Sequence, residues 1–125
     1  MKCLKNSIKI YQPKTNNQGE KIDYNNADIL AIASIGGATT YTALGGWVND
    51  GTLYNDSLQV RQFNYDDTLS QNQIKALDNL IRAIFELGQQ LAVSVEINNK
   101  LYILDSINDI ELINNVINDS MKLHS

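Results

Sequence analysis

The spacing of apolar residues along this chain changes several times, and each change marks a new element. Ile8–Tyr11 reads as a short strand that Pro13 ends, and Thr15–Gly19 is a turn-rich loop. From Asp23 the spacing becomes helical. Ile29, Ile32 and Ala33 share a face with Leu30 beside them, Asp23 or Asn25 supplies a cap, and Gly36-Gly37 stops the helix. Thr39–Ala43 is β-branched and aromatic, hence a strand. Gly45-Gly46 then predicts a bulge or a close approach of another backbone or a ligand. Trp47-Val48 resume the strand, and Asn49-Asp50-Gly51 is a hairpin turn.

Leu58–Tyr65 is the next strand, with Leu58 and Val60 facing one way and Arg61, Phe63 and Tyr65 the other. Apolar weight on both faces predicts helices over one and a partner chain over the other. Thr68…Gln71 and Ser70…Gln73 both fit a capping box, and Ile74, Leu77, Ile81, Ile84 and Phe85 follow at helical spacing up to Gly88. Ala92–Ile97 alternates, Asn98-Asn99 turns, and Leu101–Leu104 is a further strand. A last amphipathic helix carries Ile110, Ile113, Val116 and Ile117.

The order β-α-β-β-α-β, then one more strand and a helix, predicts an α+β, ferredoxin-like split βαβ fold. An antiparallel sheet of this kind carries its helices on one face and must find cover for the other. No repeat or linker divides the 125 residues, so 1–125 reads as a single domain.

Charge and cysteine content narrow the function classes. Ten basic and 14 acidic residues give a net charge of −4. Residues 1–22 hold Lys2, Lys5, Lys9, Lys14 and Lys21 against Glu20, and the remainder is strongly acidic. Five spread lysines are a weak basic face for duplex DNA, and an edge strand guarded by lysine is the simpler account. Charged residues are only 19%, which disfavours nucleic-acid mimicry. Cys3 is the only cysteine, so neither an internal disulfide nor a cysteine metal cluster can form. The N-terminus lacks a signal-peptide apolar run, and no run is long enough to span a bilayer. The expected location is the cytoplasm of a bacterial host, with no membrane partner.

The stretch Gly36-Gly37-Ala38-Thr39…Ala43-Leu44-Gly45-Gly46-Trp47…Gly51-Thr52-Leu53…Asp56-Ser57…Val60, with Gly88-Gln89-Gln90…Val93-Ser94-Val95-Glu96, resembles a family of small proteins. That family is found in phages, plasmids, other mobile elements and bacterial chromosomes, and has no assigned activity. The resemblance covers the middle half of the chain. It implies an accessory role in a mobile element, including one that counters host defence, and carries over no catalytic residue.

The residues permit little catalysis. His124 is the only histidine and is penultimate, so triads and histidine-metal sites are excluded. No phosphate-loop motif stands in a strand-to-helix context. Asp66-Asp67 before a capping Thr reads as a helix N-terminus before a magnesium site. Glu96 is expected to pair with Lys100 or Arg61 rather than act as an acid. No cofactor and no metal are expected, and an enzyme is disfavoured.

Binding has better candidates: Arg61, Trp47, Tyr41, Phe63 and Tyr65 for stacking and anion contact, and Gly45 and Gly46 for close approach. Lys14 and Lys21 could close over an anionic ligand. Arg61 in mid-strand also fits a cross-strand or dimer-interface ion pair, and Trp47 a core or interface anchor. The favoured function is a non-enzymatic accessory protein that sequesters a small anionic, nucleotide-like ligand at the interface of a homo-oligomer. The alternative is an interaction module that inhibits a host defence protein through an acidic surface.

Overall fold

Strand β1 (Asn6–Pro13) runs through the centre of a five-stranded antiparallel sheet in the computed structural model, which describes residues 1–66 and 68–123. Helix α1 (Asn25–Ile35), strands β2 (Thr39–Asn49) and β3 (Thr52–Tyr65), helix α2 (Gln71–Leu87), strands β4 (Val93–Ile97) and β5 (Lys100–Leu104) and helix α3 (Asp109–Leu123) follow. The sheet order is β2-β3-β1-β4-β5. The fold is therefore α+β and consistent with a ferredoxin-like arrangement with extra C-terminal elements. The lysine-rich N-terminal strand is not an edge. It pairs with β3 on one side and β4 on the other.

Alternation along β1 explains its central place. Asn6, Ile8, Ile10 and Gln12 are all buried on the face that the helices cover. Ile8 lies opposite both Phe63 and Ile97, and Ile10 opposite Arg61 and Val95. Leu77, Leu80, Ile81 and Ile84 of α2 and Ile113 and Ile117 of α3 close over this face. Each large apolar side chain so buried stabilises the fold by about 1.5–3 kcal/mol. The capping box at α2 is present as expected: Ser70 accepts from the Gln73 amide, and the Gln73 side chain returns to the Ser70 amide.

Helix α1 packs on a different face from the one its apolar spacing suggested. Asp28 and Ala31 are buried, whereas Ile29 and Leu30 are more than half exposed. A carboxylate turned toward β3 sets this rotation, because Asp28 meets Arg61 there. The cap position falls on Tyr24, while Asp23 accepts from the Asn25 amide.

Strand β3 begins at Thr52, not Leu58, and pairs with β2 without interruption from Asn49↔Thr52 to Thr39↔Gln62. No bulge sits at Gly45-Gly46. Since β1 ends opposite Leu58, the stretch from Leu44 to Ser57 rises beyond the sheet as a two-stranded arm. Leu44, Val48 and Leu53 are exposed on one face of the arm, and Trp47 and Tyr54 on the other.

Candidate functional site

The sheet and the arm create a cleft of about 450 Å³ where β1 ends. Its walls include Tyr11 and Pro13 of β1, Ala43–Gly46 of β2, Leu58 of β3, Gln90 of the α2–β4 loop, Ser94 of β4 and Leu101 of β5. It is mostly apolar with a few polar groups, the composition expected where a small molecule is oriented by a handful of hydrogen bonds. The Tyr11 hydroxyl donates to Glu96 Oε2 at 3.1 Å, and Lys9 Nζ lies 3.7 Å from the same oxygen. Burial, and next the Glu96 carboxylate, push the Tyr11 phenol above its ordinary range. Glu96 thus pairs with Lys9 and Tyr11, neighbours across the β1–β4 ladder, and not with Lys100 or Arg61.

The loop that supplies Gln90 starts at a sterically restricted glycine. A Cβ on Gly88 would sit 2.5 Å from the Ile84 carbonyl oxygen and 3.1 Å from the Tyr24 hydroxyl, so only glycine fits. Gln89 then takes a positive φ of 53°, and Gln90 donates to the Gly88 carbonyl at 2.8 Å.

Gly45 and Gly46 line this cleft for different reasons. A Cβ on Gly45 would approach Leu58 Cδ1 to 3.2 Å, so the Leu58 side chain already claims that space. A Cβ on Gly46 would meet only Asn55 Oδ1 at 3.6 Å and Leu53 Cδ1 at 3.8 Å, which are ordinary contacts. Among the described residues nothing therefore requires a glycine at position 46, although glycine weakens a strand interior.

The other sequence candidates separate into three places. Tyr41 lies on the open sheet face, flanking Val60, with Tyr11 on that residue's other side. Trp47 is on the arm and half exposed; it stacks on Tyr54 with ring centroids 4.6 Å apart and donates to Asp56 Oδ2 at 3.1 Å. It is not a core anchor. Arg61, Phe63 and Tyr65 lie on the helix-covered face, in register with Ile10, Ile8 and Asn6. Phe63 is wholly buried in the core. Tyr65 is also core, and burial pushes its phenol up to about 12. Asp67 and His124 lie outside the described residues.

Arg61 anchors a buried polar network. Its Nε and one terminal nitrogen reach the two Asp28 carboxylate oxygens at 3.2 and 2.9 Å, and its other terminal nitrogen donates to Thr40 Oγ1 at 2.6 Å. Gln12 donates to Asp28 Oδ1 at 2.8 Å and accepts from Gln59 at 3.1 Å. The ion pair is within the chain, from strand to helix, rather than across strands. Sequence reasoning missed Asp28 and Gln12. The available signal was Gln12 in phase with Ile8 and Ile10, since a polar residue on a buried phase is informative.

Gln12 and Gln59 also line a second cleft, of about 460 Å³, with Pro13, Lys14, Thr15, Lys21, Ile22 and Tyr24. Burial drives the Tyr24 phenol far above its usual range, and its hydroxyl donates to the Pro13 carbonyl at 2.9 Å.

No family model and no curated protein matches the chain. Two solved structures do. A phage SAM lyase in complex with S-methyl-5'-thioadenosine superposes with a TM-score of 0.56 at 15% identity, over 85% of this chain and 93% of that one. A phage SAM lyase in the apo state gives 0.57 at 17% identity, over 85% and 95%. At these identities the likeness is one of fold.

Proposed function

We propose that this chain is a phage-type accessory protein that binds a small adenine nucleoside of the S-adenosylmethionine and methylthioadenosine class. The ligand occupies the cleft between Tyr11, the Gly45-Gly46 stretch and Gln90. The observation that carries this reading is Gly46, a strand glycine on the cleft wall that the chain's own packing does not explain. A missing side chain there lets a flat ring lie against the strand backbone. Tyr11 supplies a phenol to the cleft wall, and Gln90 and Ser94 supply the polar side chains that can orient the nucleoside by hydrogen bonds. The ligand named for one of the fold neighbours has this chemistry.

The exposed aromatic and aliphatic residues of the arm are suited to burial against another copy of the chain, which would close the cleft. Function therefore rests on a homo-oligomer in this reading.

Isothermal titration with methylthioadenosine and with S-adenosylmethionine tests the reading, with Gly46→Val as the control that fills the strand wall. Saturable binding that the substitution abolishes is the expected result, and absence of binding by the unsubstituted protein overturns it. Mass spectrometry of the same mixtures separates a protein that sequesters its ligand from one that cleaves it.

A further inference from the structure

The lysine cleft and the nucleoside cleft share a wall. Pro13 lines both, and Lys14, the next residue, donates from its ammonium to Thr42 Oγ1 at 3.1 Å, one residue before Ala43 of the nucleoside cleft. Lys21 is held on the facing segment, opposite Thr15, by backbone pairing. Thr15 bridges to Lys21, and the Ile22 amide donates to the Lys14 carbonyl at 3.0 Å.

No carboxylate of the described residues lines this cleft. Among the described residues, the ion pairs are Lys9–Glu96 and Arg61–Asp28, and neither cleft lysine is part of one. The floor is the wholly buried Gln12 carboxamide and its partner Gln59. Behind the floor, the Asp28 charge is already matched by Arg61, so it does not cancel the lysines. Two lysines lining a cleft with a neutral amide floor, in a chain of net charge −4, make a local site for an anion.

We propose that this cleft is an anion subsite, contiguous with the nucleoside cleft, that takes the phosphate or carboxylate tail of the same ligand. The subsite deepens the nucleoside reading and rests on it for the tail's origin. It makes the ligand class a nucleoside with a negatively charged extension. Lys14 is the fixed contact, tethered by Thr42, and Lys21 closes from the loop. Salt weakens the tail's contribution and spares the nucleoside's, because only the former is a contact between charges at the surface.

The test compares pairs of ligands that differ by the anion alone: AMP against adenosine, and S-adenosylhomocysteine against its decarboxylated amine. Each is titrated into the intact protein and into a Lys14→Gln/Lys21→Gln double variant. At least one anion-bearing member is expected to bind about tenfold more tightly than its partner, and the double variant to erase that difference without weakening the member that lacks the anion. Equal affinities within both pairs, or a double variant that weakens both members alike, overturn the subsite. If neither adenosine nor methylthioadenosine binds, the nucleoside reading fails by itself. Inorganic phosphate then decides the subsite: NMR shifts confined to Lys14, Lys21 and Gln59 support it, and unmoved signals overturn it.

Discussion

Arg61 on β3 grips both carboxylate oxygens of Asp28 on α1, and both side chains are largely withdrawn from water. A planar guanidinium that meets a carboxylate with two bonds fixes orientation as well as charge. This pair therefore sets the rotation of α1 on the sheet. Removing one partner leaves the other charged and poorly solvated. Arg61→Ala is expected to cost about 3 kcal/mol of stability, read as a lower midpoint in urea. Arg61→Lys should recover only part of the loss, since an ammonium cannot reproduce the fork. Any effect of Arg61→Ala on ligand binding has to be judged after this folding cost.

A second buried polar contact predicts a pH dependence. Asn114 of α3 donates to Asp78 Oδ2 at 2.9 Å, while Asp78 Oδ1 and Asn114 Oδ1 are buried without partners among the described residues. Burial raises the Asp78 carboxyl above its ordinary value, against the smaller opposing effects of the Asn114 bond and Arg82. The folded state thus binds this proton more tightly than the unfolded state. The stabilisation is complete below the ordinary carboxylate range and disappears as pH rises through the raised folded value. Asp78→Asn removes the buried charge and keeps an amide oxygen to accept from Asn114. It should add about 1 kcal/mol at neutral pH and flatten this part of the stability profile in urea titrations across pH.

Tyr65 presents a simpler case. Its ring belongs to the core, yet its hydroxyl is buried with no hydrogen-bond partner among the described residues. Removing the oxygen keeps the packing and ends the desolvation cost. Tyr65→Phe is expected to stabilise the protein by about 1 kcal/mol, seen as an upward shift in thermal unfolding. A loss of stability instead would mean that a bound water or ligand satisfies that hydroxyl.

The elements could be read from the chain because their signals are local. Ser70 and Gln73 sit three apart, Asn98-Asn99 falls between two apolar runs, and the α2 apolar residues repeat at helical spacing. Much of the site could not be read, because its geometry depends on pairs distant in sequence. Asp28 and Arg61 are 33 residues apart, and Tyr11 and Glu96 are 85 apart. The alternation Arg61-Phe63-Tyr65 was correct as a phase. Which face the helices cover is decided by β1, through the register Ile8↔Phe63. For the same reason, three candidates grouped by sequence as ligand contacts lie under the helices, and Tyr11 and Gln90 escaped notice. Lys14 and Lys21 were legible as a pair, but Gln12 and Gln59 beneath them were not.

The adjacent glycines of the arm give the sharpest separation of stability from function. Gly45→Ala forces its new methyl group to within 3.2 Å of Leu58, a side chain that must shift to admit it. It is expected to lower stability by about 1 kcal/mol. Gly46→Ala meets only ordinary contacts and reduces the freedom of the unfolded chain, so it should raise stability by about 0.5 kcal/mol. If the strand backbone at Gly46 is where a ligand ring approaches, the more stable variant is the one that binds worse. Urea denaturation and nucleoside titration of both variants, side by side, check this. A Gly46→Ala protein that is more stable and binds at full strength would show that the ring does not approach the backbone there. The proposed placement of the nucleoside against β2 would then have to be abandoned.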